Sequence, residues 1–254
     1  MRTVADSSVI VTGGGSGLGA ATAAHLAERG ARVTICGRRP EKVRTVAEAI
    51  GPAAAWVQAD VDDPDDRARL VDAAVDHGGG IDVLVHCAGN LHAAPLAEID
   101  EEDLVAMYRT NVISPTMLTQ RALPHLVARQ GAVVFVGAVD VRRVMAPAAV
   151  YAPSKAAVHR LTEVLAVELG PQGVRVSCVA VGAVATEIAV RSGALAAESA
   201  AREVEETFGP VTPLRRTGDP REVAEAIEHL AYAEWTTGAI LDVDGGLGLG
   251  ELEV

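Results

Sequence analysis

Thr12-Gly13-Gly14-Gly15-Ser16-Gly17-Leu18-Gly19 follows a short apolar run, Ser8–Val11, and leads into a helical stretch, Leu18–Glu28. Glycines at 13, 17 and 19 permit a tight turn and let the backbone come close to a phosphate. They also open a helix whose first N–H groups point at that phosphate. The spacing is GxxxGxG; the commoner GxGxxG does not fit. A glycine-rich turn alone is a weak sign, because a plain strand-to-helix corner reads the same way. Its surroundings decide the matter.

Outward from that turn, short β-like runs alternate with longer helix-like ones. Candidate strands are Ser8–Val11, Arg32–Cys36, Ala54–Gln58, Val83–His86, Ala132–Val136, Val174–Val179 and Ile240–Val243. Between them lie helical stretches at Leu18–Glu28, Glu41–Ala49, Asp65–Asp76, Glu101–Ala128, Ala152–Glu168 and Arg221–Tyr232. Several strands are apolar almost end to end, as strands buried on both faces are. The expected fold is α/β: a single-domain Rossmann fold over residues 1–254, with a seven-stranded parallel sheet and helices on both faces. No repeat, linker or shift of composition marks a second domain. Residues 186–208 interrupt the rhythm, are rich in Ala and Glu, and read as an inserted substrate flap.

The chain has 254 residues, 49% of them hydrophobic, enough to bury a large core. Its formal net charge of -12 and 3% aromatic content argue against nucleic acid or an anionic membrane as partner. A small-molecule substrate is expected instead. No run approaches a membrane span and Asp6 breaks any early apolar segment, so a cytoplasmic protein is expected. Cys36, Cys87 and Cys178 form no CxxC pair, sit in strand-like runs and read as buried thiols. His25, His77, His125, His159 and His229 fall on helical stretches without metal-ligand spacing, so no metal is expected.

The stretch past the second strand bears on the ligand. In NAD-binding domains an acidic residue about 20 positions beyond the glycines takes the ribose hydroxyl. Here the sequence is Cys36-Gly37-Arg38-Arg39-Pro40, with no acid before Glu41. Two arginines at a helix start oppose its dipole and call for an anion. A 2′-phosphate suits them, with Arg38 leading and Arg39 or Ser16 assisting; two solvated arginines are the bland alternative. The preferred reading is NADP(H). Further on, Tyr151 and Lys155 lie four apart, on one face of a helix. A phenol of ordinary pKa near ~10 is a poor proton donor at neutral pH. A neighbouring ammonium lowers it into a useful range.

In this order the motifs resemble the classical short-chain dehydrogenases/reductases over roughly residues 7 to 247. The resemblance implies that Asn111, Tyr151 and Lys155 are catalytic. The lysine would also hold the nicotinamide ribose, and the asparagine would support a proton-conducting water. It implies cofactor contacts from Gly13, Ser16, Gly17, Leu18 and Gly19, and from Asp60 and Val61 at the adenine. Ala88 and Gly89 stand in a turn where the family carries Asn-Asn-Ala-Gly. Gly182, Val184 and Thr186 correspond to its nicotinamide contact, and Asp244-Gly245-Gly246 closes the last strand. Family members commonly pair the two long helices, here Asn111–Ala128 and Ala152–Glu168, so a homotetramer is expected.

The pattern departs from the family at the chemical end. A serine is expected thirteen residues before the tyrosine, but Ala138 stands there, after Gly137, with no Ser or Thr between Gly131 and Val150. Losing such an oxyanion donor costs on the order of 10²–10³ in rate. His86 replaces the first Asn of the turn, and Val181 replaces the Pro before Gly182. Three readings stay open. The protein reduces a carbonyl with Tyr151 or a water in the serine's place; it reduces a C=N bond, an imine or an iminium from a hemiaminal; or it is an inactive NADP(H)-binding sensor or scaffold. An iminium carbon accepts hydride with no oxyanion to stabilise. Asp140 would share a face with Ala138 if the strand ran that far, favouring a cation; a solvated loop carboxylate is its plainer reading. Substrate contacts are expected from Ala138, Asp140, Met145, His92 and the flap, around a largely apolar pocket.

Overall fold

The computed structural model describes residues 3–186 and 199–250. Strand β1 (Ser8–Thr12) leads into helix α1 (Gly17–Glu28), followed by β2 (Arg32–Gly37), α2 (Pro40–Ile50), β3 (Ala54–Gln58), α3 (Pro64–Gly78) and β4 (Val83–His86). The second half carries α4 (Glu101–Tyr108), α5 (Ser114–Arg129), β5 (Ala132–Ala138), α6 (Tyr151–Leu169) and β6 (Arg175–Val181). Helices α7 (Ala200–Phe208) and α8 (Pro220–Tyr232) then precede β7 (Ile240–Val243).

All strand pairings are parallel and the order is β3-β2-β1-β4-β5-β6-β7. Alternation along each strand divides the core. Ile10, Leu84, Val133, Phe135 and Cys178 face Leu70 of α3, Leu118 of α5 and Val158 of α6. Val9, Val11, Val33, Val85 and Val134 face Leu26 of α1, Val43 of α2 and Ile227 of α8. The chain leaves β1 toward β2 and β3, then returns to β4 on the other side of β1. The carboxyl ends of β1 and β4 therefore part into a crevice where such sheets take ligands.

The seven expected strands are all present, three with the expected bounds and four with ends moved by one or two residues; β5 runs on to Ala138. The predicted single helix over Glu101–Ala128 is not continuous. A π-turn at Arg109–Ile113 separates α4 from α5, with Pro115 in the first turn of α5. Asn111 lies within that turn and is buried. Of the expected flap, residues 187–198 lie outside the described residues, and its distal end forms α7. No described helix is long and apolar enough to cross a membrane.

Candidate active site

The glycine turn is compact because its neighbours leave no room for side chains. A Cβ on Gly19 would lie 2.4 Å from the Gly13 carbonyl oxygen, and one on Gly13 would lie 2.9 Å from the Ala88 nitrogen. Ser16, the N-cap of α1, makes no side-chain cap bond, so the helix start faces the crevice without an internal acceptor from that hydroxyl. Gly13, Ser16, Gly17, Leu18, Gly19, Arg38, Asp60, Val61, Ala88, Gly89, Tyr151, Lys155, Gly182, Val184 and Thr186 all line one cleft at the carboxyl ends of the strands. Arg39 does not line it, but its Nη2 points a 3.4 Å contact at Ser16 Oγ. Asp60 accepts the Asp62 amide at 3.1 Å, which holds the turn after β3.

Asn111 stands behind the cleft, 3% exposed. Its Oδ1 accepts the Asn90 amide at 2.9 Å, and its Nδ2 donates to the Asn90 carbonyl and to Ser154 Oγ, both at 3.0 Å. Ser154 in turn donates to the Tyr151 carbonyl at 2.7 Å. One amide side chain thus ties the loop after β4 to the first turn of α6. Sequence reasoning did not single out Asp62, Asn90 or Thr110, which also line the cleft. Asp62 accepts Thr110 Oγ1 at 2.7 Å and Ser114 Oγ at 2.6 Å, pinning the π-turn to the β3 end. Nothing local in the sequence marks these residues, because their partners lie about 20 positions away for Asn90 and about 50 for Asp62.

Lys155 is buried and donates from Nζ to the Val136 carbonyl at 2.9 Å; the ammonium lies 5.8 Å from the Tyr151 ring centroid. Burial holds the Lys155 ammonium below its usual range. The Tyr151 phenol is pushed up, first by burial and then by the Asp140 carboxylate. This differs from the sequence expectation of a phenol lowered by lysine, and the reason is that desolvation outweighs a cation not directly bonded to the hydroxyl.

Ala138 ends β5, buried, and residues Val139–Val141 turn off as one 3₁₀ turn. Asp140 therefore does not continue the strand face, as the alternation argument required. It sits on the turn packed against α6, part-buried, and its carboxyl is raised by burial while Lys155 opposes the shift. His92 pairs with Asp103 of α4 at 3.4 Å, and Met145 is part-buried in the stretch before α6. None of Ala138, Asp140, Met145 and His92 lines the cleft that holds Tyr151 and Lys155.

His86 and Gly137 acquire a physical reason, and Cys87 a corrected place. His86 points into the core, with Nε2 2.9 Å from Thr119 Oγ1 and its ring stacked on Phe135 at 4.9 Å; burial drops its pKa to about 3, so it is neutral. Cys87 lies one residue past β4, lining the cleft, whereas the sequence placed it in a strand core; burial pushes its thiol up to about 12. Gly137 is a glycine because His159 lies over it: a Cβ there would sit 2.4 Å from His159 Nε2 and 2.8 Å from Cys178 Sγ. Among the described residues no group of three or more His, Cys, Asp or Glu could hold a metal ion.

A 3-2-1-4-5-6-7 parallel sheet, a phosphate-type glycine turn and a Tyr-Lys pair on one helix at the crevice define a dinucleotide-dependent oxidoreductase. The chain belongs to the short-chain dehydrogenase/reductase family, whose members use a nicotinamide dinucleotide on small molecules. Residues 13–248 match the family model described as enoyl-(acyl carrier protein) reductase. The chain is 40% identical to cis-4-hydroxycyclohexanecarboxylate dehydrogenase of Sinomonas cyclohexanicum, over 93% of this chain and 94% of that one. It is 32% identical to versicolorin reductase 1 of Aspergillus parasiticus, over 93% and 94%. The crystal structure of 3-ketoacyl-(acyl-carrier-protein) reductase from Brucella melitensis, complexed with NADH, superimposes with a TM-score of 0.89 at 27% identity, covering 97% of this chain and 100% of that one.

Proposed function

We propose that the chain is an NADPH-dependent reductase acting on the C=O or C=N bond of a small, largely apolar organic substrate. The observation that carries this reading is the convergence of Tyr151 and Lys155 on the same cleft as the glycine turn and Arg38. The residues fit the dinucleotide. The glycine cradle and the start of α1 suit a pyrophosphate, and Arg38, with Arg39 reaching Ser16, suits a 2′-phosphate where an acid would select NAD(H). Asp60 and Val61 fit the adenine, and Val184 and Thr186 the nicotinamide end. Bound there, NADPH supplies hydride.

Tyr151 holds at Oη the proton that the substrate's heteroatom takes, and its raised pKa keeps that proton on the phenol at neutral pH. Lys155 has three N–H donors and gives one to the Val136 carbonyl, which leaves donors for a ribose hydroxyl. Asn111 positions the first turn of α6 through Ser154. Exposed Ile113 of the π-turn, Met117 of α5, and Val164 and Val167 of α6 support a homotetramer built on those two helices, a reading that sedimentation as a monomer at micromolar concentration would remove.

The test follows NADPH oxidation against matched ketones and cyclic imines, with NADH alongside and with Tyr151→Phe and Ala138→Ser as comparison proteins. Turnover that prefers NADPH and is lost in Tyr151→Phe, with dinucleotide binding kept, supports the proposal. A sharp gain on ketones in Ala138→Ser marks an impaired carbonyl reductase. The missing donor at Ala138 favours a second reading, a dinucleotide-binding sensor, which tight NADPH binding without turnover across the panel would support.

A further inference from the structure

We infer that Asp140 is a substrate-recognition carboxylate, and that the substrate is a small organic cation whose positive nitrogen adjoins the carbon that accepts hydride. This rests on the reductase reading and narrows it. The serine that would donate to a developing oxyanion is a buried alanine methyl, so nothing on β5 stabilises negative charge at that point. Two residues on, the 3₁₀ turn Val139–Val141 packs on α6, the helix that carries Tyr151 and Lys155. The one charged side chain on this turn is an anion; it stands outside the lining of the cleft, near enough for its charge to act on Tyr151 and Lys155.

The Asp140 carboxylate has no hydrogen bond or ion pair among the described residues, although part of its surface is removed from water. The cations around it are engaged elsewhere. Arg142 pairs with Asp242 at 3.0 Å, Arg143 donates to the Leu247 carbonyl at 3.3 Å, and Lys155 donates to Val136. A part-buried carboxylate without a partner is costly, and a ligand cation offsets that cost. A neutral ketone fits poorly, since its oxygen gains negative charge beside this anion and without the serine. An iminium fits well. Hydride brings two electrons to the carbon, the C=N π pair moves onto nitrogen, and the positive charge on nitrogen is discharged with no proton needed. A hemiaminal reaches the same ion when its hydroxyl takes the Tyr151 proton and leaves as water.

The experiment has two readouts. Steady-state rates at saturating NADPH compare a protonated five-membered cyclic imine with cyclopentanone, in the wild type, Asp140→Asn and Asp140→Glu. Calorimetry of the NADP⁺ complex compares N-methylpyrrolidinium with tetrahydrofuran, which have similar shapes and different charges. In Asp140→Asn, KM for the imine and Kd for the ammonium are expected to rise about 10-fold or more, with kcat less affected and the neutral compounds unchanged. Asp140→Glu should restore part of the loss. Equal effects on charged and neutral ligands, or no binding of the ammonium by the wild type, overturn the assignment of Asp140. Ketone turnover without charge preference overturns it and leaves the reductase reading standing. Saturable, Asp140-dependent ammonium binding without turnover of any substrate overturns the reductase reading and keeps Asp140 as a cation site.

Discussion

Gly137→Ala tests the packing that underlies the altered strand end. The added methyl would meet His159 Nε2 at 2.4 Å, His159 Cδ2 at 2.8 Å and Cys178 Sγ at 2.8 Å. Contacts of that kind settle at roughly 3.5–4.0 Å, so the imidazole or the strand must move by about 1 Å. His159 sits one turn beyond Lys155 on α6, and β5 at this point carries the Val136 carbonyl that holds Lys155. Overpacking of a tight core costs about 1–3 kcal/mol. In a chain of this length each kcal/mol shifts Tm by about 2–4 °C, so a fall of about 2–12 °C is expected. The rate should fall with it, because the Lys155 anchor moves. Circular dichroism melting and kcat/KM are measured for Gly137→Ala, His159→Ala and the double variant. Removing the ring removes two of the three close contacts, so the double variant should be more stable than the sum of the singles by about 1 kcal/mol or more. A Tm for Gly137→Ala within 1 °C of wild type, or strictly additive effects, would refute the reasoning. The same geometry predicts that a serine is admitted at position 138 more readily than at 137.

Other expectations follow from the site. Arg38→Ala should raise the Kd for NADPH by about 10-fold or more and leave that for NADH unchanged, read by fluorescence titration; equal losses for both would deny the 2′-phosphate role. Gly19→Ala should abolish dinucleotide binding, since its Cβ falls 2.4 Å from the Gly13 carbonyl, while Gly170→Ala, with nothing within 4 Å, should bind normally. His86 titrates at about 3 when folded and near 6.5 when unfolded, so between those values the unfolded chain binds the extra proton. Stability should therefore be full above about pH 6.5 and fall as the pH drops toward 3. His86→Asn should flatten the change in urea midpoint between pH 7.5 and 5.5, and an unchanged slope would show that His86 is not its source.

The sequence by itself determined the sheet and the phosphate end. Strands buried on both faces must be apolar along their length, and a glycine turn that admits no Cβ leaves a mark readable one residue at a time. The Tyr151–Lys155 spacing is equally local, because one helix turn joins them. What stayed hidden depended on contacts between distant parts of the chain. The π-turn at Arg109–Ile113 interrupts what reads as one helix, since its reward is the bonding of Asn111 to Asn90 and Ser154, which no local pattern announces. Ala138, with Gly137 before it, His86 and Val181 read as alterations of one site. In the folded chain His86 is a core residue against Phe135 and Thr119, Gly137 answers to His159, and Asp140, outside the cleft lining, reaches the site through its charge on Tyr151. Even the state of Tyr151 was decided in three dimensions. Spacing brings a lysine near the phenol, but burial and a carboxylate from another element set its pKa, because desolvation is a property of everything packed around a group.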